Sequence, residues 1–235
     1  HLRNPMSLNP VAALTLASAS LAIVGASWAL DVAWLHIVFK PLTTALIGAR
    51  AWSRGSGQPQ VRRWILCGLA LSLIGDVALL WPQRGFLPGL IAFLLAHIAY
   101  IVAFTREHRF LAQPAALTSY ALAAGAILAP LWPSIPSGLR VPVACYVLAL
   151  TAMSAQTAVV GLAAQGSDRP RARLLMLGGA LFMMSDAMLA TNKFAVPLPA
   201  ATLWILATYW GAQCCIASWL KPERADTASK APDMR

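Results

Sequence analysis

Apolar residues fill the chain in eight long runs, separated by short clusters of Pro, Gly, Arg and other polar residues. The runs cover residues 11–30, 32–50, 64–82, 86–105, 114–131, 139–163, 172–191 and 198–220. The separators include Arg54-Gly55-Ser56-Gly57-Gln58-Pro59, Pro82-Gln83-Arg84-Gly85, Trp132-Pro133-Ser134, Gly166-Ser167-Asp168-Arg169-Pro170 and Pro197. Asp31 alone divides the first two runs, which makes that turn the weakest boundary. Runs of about 20 apolar residues have the length of a membrane-crossing helix. In lipid an open strand edge would leave backbone groups unpaired, so each run must be helical. The pattern predicts an all-α fold, a polytopic transmembrane bundle of about eight helices.

Composition narrows the class. Of 235 residues, 59% are hydrophobic and only 11% are charged, whereas a soluble chain carries about a quarter charged residues. A water-soluble domain is excluded on that ground. The expected organisation is a short N-terminal segment (1–10), one transmembrane domain (11–220) and a disordered cytoplasmic tail (221–235). His1 to Pro5 precede Met6 and are set aside as cloning residues. The four cysteines, Cys67, Cys145, Cys214 and Cys215, all fall within apolar runs without paired or zinc spacing, and are expected to be small core residues.

The net charge of +10 would suggest nucleic acid if the basic residues clustered on a soluble face. Instead they follow topology. Arg3, Arg50, Arg54, Arg62, Arg63, Arg106, Arg109, Arg169, Arg171, Arg173, Lys221, Arg224, Lys230 and Arg235 fall on one side of the bundle, fourteen in all. Arg84, Arg140 and Lys193 fall on the other, and Lys40 lies within a span. Such an excess marks the cytoplasmic side. Both termini are therefore expected in the cytoplasm, and no nucleic-acid partner is implied. Trp28, Trp34, Trp81, Trp132 and Trp219, near span ends, read as interfacial belts.

Two stretches echo each other: Leu71-Ser72-Leu73-Ile74-Gly75-Asp76 in the third run and Leu181-Phe182-Met183-Met184-Ser185-Asp186 in the seventh. Four spans apart, these helices run parallel and carry their aspartates at like depth, which suggests a duplicated four-helix half.

Asp76 and Asp186 are the only acidic residues well inside spans; Lys40 and His97 are the other deep ionisable groups, with His36 nearer the span start. An ionisable group at membrane depth must face a cavity or a partner. From the outer span ends, the two aspartates lie roughly 8–9 Å in, Lys40 about 12 Å and His97 about 16 Å, at 1.5 Å per residue. Polar and aromatic residues share their faces at helical spacing. Thr43 and Thr44 follow Lys40, Ser72 precedes Asp76 by four, and Phe93, His97, Tyr100 and Phe104 line one face. Phe182 stands four before Asp186 with Ser185 adjacent, and Tyr209 shares a face with Gln213.

The bland alternative is a buried Lys40–Asp pair that fixes packing. It leaves one carboxyl over, because one cation and two acids are not all charged cheaply in low dielectric. The surplus carboxyl is expected to hold a proton part of the time, which suits a general acid. For His97, a core histidine and a functional one are equally open. A three-histidine zinc site is not available from His97 and His36, and no Gly-Xaa-Ser-Xaa-Gly elbow or Walker-type loop occurs. No metal and no cofactor are expected.

At these residues the chain resembles the YhhN-like lysoplasmalogenase family of integral membrane proteins. The resemblance lies in Phe39-Lys40-Pro41-Leu42-Thr43-Thr44, Ser72-Leu73-Ile74-Gly75-Asp76, Phe93 with His97, Tyr100 and Phe104, Gly179 to Asp186, and Thr208-Tyr209-Trp210-Gly211-Ala212-Gln213. Tyr146 and Met153 also look familial. The resemblance runs from about residue 10 to 220 and includes order, spacing and span count. It departs at Trp210, where a second Tyr is common, and at Asn192-Lys193 after the second acidic motif. The resemblance implies hydrolysis of the vinyl ether bond of lysoplasmalogens, giving a fatty aldehyde and glycerophospho-ethanolamine or -choline. It also implies a lysophospholipid substrate among membrane lipids. Asp76 and Asp186 would be catalytic. Lys40, Thr44, Ser72, His97, Tyr100, Phe182, Ser185, Tyr209 and Gln213 would bind substrate or support the pair. A proton-coupled transporter using the aspartates as a relay is the alternative, and a non-catalytic membrane scaffold a third. Arg outnumbers Lys fourteen to four, which hints at a bacterial host and its inner membrane.

Overall fold

The computed structural model describes residues 10–26, 30–106 and 108–222. Eight helices follow one another there: α1 (Pro10–Val24), α2 (Ala33–Trp52), α3 (Pro59–Ala78), α4 (Pro82–Phe104), α5 (Pro114–Leu131), α6 (Ser137–Ala163), α7 (Arg169–Phe194) and α8 (Ala201–Ser218). Single 3-10 turns at Trp132–Ser134 and Gly166–Asp168 lead into α6 and α7. The fold is all-α, as the apolar runs predict.

Helix starts explain most differences from the expected boundaries. α3, α4, α5 and α7 each begin with Pro at the first or second position, where its fixed φ suits a helix and its missing N–H is no loss. Arg62 and Arg84 therefore sit in first turns, and Arg63 just beyond one, rather than in loops. α1 differs most, because it ends at Val24 and not near residue 30. Asp31 adopts a left-handed φ of 52°, and His36 Nδ1 pairs with the Ala22 carbonyl at 3.0 Å, tying the start of α2 to the end of α1.

Among the described residues, four segments are long and apolar enough to cross a bilayer: 82–104, 114–134, 137–163 and 166–194. α1 is apolar but has only 15 residues. α2, α3 and α8 turn Lys40, Ser72, Asp76 and Gln213 inward, and those polar residues lower their mean hydropathy.

Six helices close a ring. α2 packs on α3, α3 on α4, α4 on α6, α6 on α7, α7 on α8, and α8 back on α2. α1 leans outside against α2 and α8, and α5 outside against α6 and α7. The pattern repeats between halves, since α2 joins α3 and α8 as α6 joins α7 and α4. Close approach needs glycine at the α3–α4 contact, where a Cβ on Gly75 would come 2.5 Å from the Phe93 ring.

One end of the bundle is fixed by backbone pairing. Gly55 N–H donates to the Lys221 carbonyl at 2.8 Å, Lys221 Nζ meets Asp168 at 2.9 Å, and Arg54 bridges to Pro222. This end gathers the basic residues, while Arg84, Arg140 and Lys193 lie at the other. Arg3, Arg224, Lys230 and Arg235, together with Trp28 and the tail beyond Pro222, lie outside the described residues.

Two expectations are corrected. Trp219 is buried, 4% exposed, and belongs to the core instead of an interfacial belt; Trp34 and Trp81 are exposed. Cys145 and Cys214 are exposed and Cys67 and Cys215 half-buried, all four free thiols. In a bundle that faces hydrocarbon, an apolar run does not mark the core, because lipid solvates a cysteine as readily as the interior does.

Candidate active site

Asp76 and Asp186 line a single cavity of about 510 Å³. Its polar wall is made by Lys40 of α2, Asp76 of α3, Tyr146 of α6, Ser185 and Asp186 of α7, and Tyr209 of α8. Its apolar wall is longer. Leu90 and Phe93 of α4, Ile127 and Leu128 of α5, Val147 and Leu150 of α6 and Met183 of α7 contribute. Leu79, Pro82, Phe86, Leu131, Ile135, Lys193 and Ala201 place it at the charge-poor end of the bundle. A chamber with a few polar groups at one place and hydrocarbon elsewhere is the lining a lipid tail requires.

The two carboxyls are held differently. Oδ2 of Asp76 accepts hydrogen bonds from Thr44 Oγ1 at 2.6 Å and Tyr209 Oη at 2.8 Å. Trp210 Nε1 donates to Thr44 Oγ1 at 3.2 Å, which orients that hydroxyl. Asp76 is 2% exposed. Asp186 accepts from Tyr146 Oη at 2.5 Å, and it is half-buried, open to the cavity.

Lys40 is buried and faces the cavity, close enough to Asp76 for their charges to act on one another. No carboxylate lies within 4.0 Å of it, since both ion pairs among the described residues belong to Asp168. The buried Lys–Asp packing pair is therefore not formed, and the ammonium stays available to the chamber.

The remaining expected residues stand behind this wall. His97 is fully buried with neither ring nitrogen hydrogen-bonded. It packs edge-on against Tyr146 and Phe182, with centroids 5.2 and 4.7 Å apart. Phe182 in turn meets Tyr209 at 5.6 Å, and Phe93 meets Tyr209 at 5.7 Å. An aromatic cluster thus positions the two tyrosines that donate to the two aspartates. Tyr100 Oη donates to Gln213 Oε1 at 2.7 Å; with Ser72, whose hydroxyl has no partner, they form the layer beneath the chamber. Ser185 Oγ donates to the Ile205 carbonyl at 3.0 Å and joins α7 to α8.

Tyr146 has the strongest claim among residues that the pattern of deep charges misses. A lone tyrosine in an apolar run carries no such signal, although its place three turns into α6 matches the depth of Asp186. His36, which the sequence places nearer a span start, also lines the cavity, as do Asn192, Lys193 and Phe86, which a search for deep charge passes over.

Fold and site together define a helical integral membrane protein with paired carboxyls in an apolar-walled chamber. The chain belongs to the YhhN family, whose model matches residues 35–220. That match starts inside α2 and leaves out α1. Human lysoplasmalogenase TMEM86B is 34% identical over 188 residues, 79% of this chain and 75% of that protein. Human lysoplasmalogenase TMEM86A is 33% identical over 193 residues, 78% and 77% of the two chains. The lysoplasmalogenase of Mycobacterium tuberculosis is 30% identical over 193 residues, 79% and 70%. No solved structure matches the chain.

Proposed function

We propose that this protein is a lysoplasmalogenase, a membrane-embedded hydrolase of the vinyl ether bond of lysoplasmalogens. The observation that carries the reading is the pair of carboxyls in one apolar-walled chamber, supported by relatives named for that activity. Those names are of enzymes, so the transporter reading drops away.

The chemistry needs one proton and one water. A protonated carboxyl delivers its proton to the outer alkene carbon, the one not bonded to oxygen, and leaves an oxocarbenium ion. A neighbouring carboxylate stabilises that cation, as in glycoside hydrolysis. Water adds to the cationic carbon and returns a proton to the pair. The hemiacetal then breaks its bond to the glycerol oxygen, releasing a fatty aldehyde and the glycerophospho alcohol. We assign proton delivery to Asp186, which opens to the chamber with one hydroxyl donor, and the charge-bearing role to Asp76, which accepts two. Lys40 supplies the compensating charge, and the α4–α6 walls take the alkenyl chain.

Residues 11–220 form a single transmembrane unit in this reading, with cytoplasmic termini in a bacterial inner membrane. The test is aldehyde release by the purified protein from a panel of lysoplasmalogens. An inert protein that is folded and monodisperse in detergent would refute the activity.

A further inference from the structure

The outer mouth of the chamber carries a constellation that the chemistry above leaves idle. Phe86, in the second turn of α4, and Phe194, at the end of α7, meet edge to face with centroids 5.7 Å apart. The Lys193 ammonium sits 4.2 Å from the centroid of Phe86 and 5.8 Å from that of Phe194. All three residues line the cavity. Aromatic faces that hold an ammonium in this way are how proteins recognise choline-like cations. Here the chain's own lysine occupies the place. Its side chain is exposed, and no carboxylate lies within 4.0 Å of it among the described residues.

The spacing suits a phospholipid head. Lys193 follows Asp186 by seven residues, two helical turns on nearly the same face of α7, about 10 Å further out at 1.5 Å per residue. In a lysoplasmalogen, six bonds separate the oxygen-bearing vinyl carbon from phosphorus, and ten separate it from the head nitrogen. Extended, these reach roughly 7–8 Å and 12 Å at bond lengths near 1.5 Å. A vinyl ether at Asp186 therefore sets its phosphate within reach of the lysine stem and its nitrogen near the phenylalanine pair. Arg140, another cation at this end, is already engaged, lying over Trp132 and donating to the Ile135 carbonyl.

We propose that this mouth is the headgroup subsite and that Lys193 is its placeholder. On docking, the Lys193 ammonium leaves the Phe86 ring for the lipid phosphate, and the lipid's choline or ethanolamine nitrogen replaces it over the ring. The exchange leaves a cation on the aromatic face and gives the phosphate a counter-ion. It favours zwitterionic heads, because a lysophosphatidic acid brings no cation to refill the ring. The proposal rests on the lysoplasmalogenase reading.

Lipids that cannot be cleaved test it apart from turnover: a 1-O-alkyl lysophosphocholine, the matching lysophosphatidic acid and 1-O-alkylglycerol, each titrated calorimetrically into the full chain in detergent. Wild type should bind the phosphocholine lipid at least about tenfold more tightly than the alkylglycerol. Lys193→Met should cut that preference several-fold, because the phosphate loses its counter-ion while the ring still takes the choline, and Phe86→Leu should weaken the phosphocholine lipid several-fold while sparing the lysophosphatidic acid. Equal affinities for all three lipids in wild type, or variants that shift none of them or all three alike, would overturn the subsite. Aldehyde release from lysoplasmalogen is measured beside it. No release with the head preference intact sinks the catalytic reading alone; release without the preference sinks the subsite alone.

Discussion

Thr44 and Tyr209 point their hydroxyls at the same oxygen of Asp76, whereas Asp186 receives Tyr146 alone. Two carboxyls in one chamber with different hydrogen-bond loads are the arrangement expected of an acid working beside a charged partner. Asp76→Asn and Asp186→Asn should each lower turnover at least ~10²-fold, the usual scale for losing an acid–base group. The double variant should be little worse than the poorer single, because groups that act as one unit are non-additive. Expression and detergent stability should survive, since Asn keeps the volume. Steady-state rates of aldehyde release decide the matter; near-normal turnover in either single variant would leave that aspartate a packing role. Turnover should also survive exhaustive chelation: beside the two carboxyls the deep groups offer a single buried imidazole and an ammonium, and no cluster of three His, Cys, Asp or Glu side chains that could hold a metal occurs among the described residues. Loss with chelator and rescue by zinc would count against the carboxyl mechanism.

At the scale of helices, Gly75 lets α3 approach α4 until Phe93 occupies the space a side chain would take. Phe93 is the residue whose edge rests on Tyr209. Gly75→Ala should therefore overpack this contact, lowering stability by about 1–3 kcal/mol, and push Phe93 against the tyrosine that bonds Asp76. Thermal unfolding in detergent and turnover should fall together; an unchanged melting temperature would show that the rings yield freely. The sequence makes this element readable in part. Deep charge picks out Lys40, Asp76, Asp186 and His97, because lipid penalises it anywhere except a cavity or a packed interior; the first three line the chamber and His97 stands behind its wall. Tyr146 is noticed only through the family resemblance and Phe86 not at all, because aromatic residues are at home against both lipid and protein. Helix α1 is overextended on the same logic. Hydropathy continues past Val24, and only the left-handed Asp31 and the His36 bond to Ala22 reveal the turn. Cysteine position misleads for a related reason, since apolar runs do not distinguish the inner face of a helix from the outer.

Across the whole molecule, the basic residues and the chamber occupy opposite ends. If the positive-inside bias sets orientation, the mouth faces away from the cytoplasm. In a background with the four native cysteines replaced, a cysteine at Arg84 should react with an impermeant maleimide in intact cells. One at Ser56 should react only after the cells are opened, and the reverse pattern would invert the bundle. The closed ring has a consequence for how such a protein can be built. Asp76 belongs to the first four helices, but Tyr209, which donates to it, belongs to the last four. Tyr146, which donates to Asp186, leans on His97 from the opposite half. On the proposed mechanism the chemistry therefore sits on a seam, and neither half owns both carboxyls with their hydroxyl donors and aromatic supports. A chain severed between α4 and α5 should be inert as separate pieces and regain activity only when both re-form the ring, so that catalysis here doubles as a report on assembly.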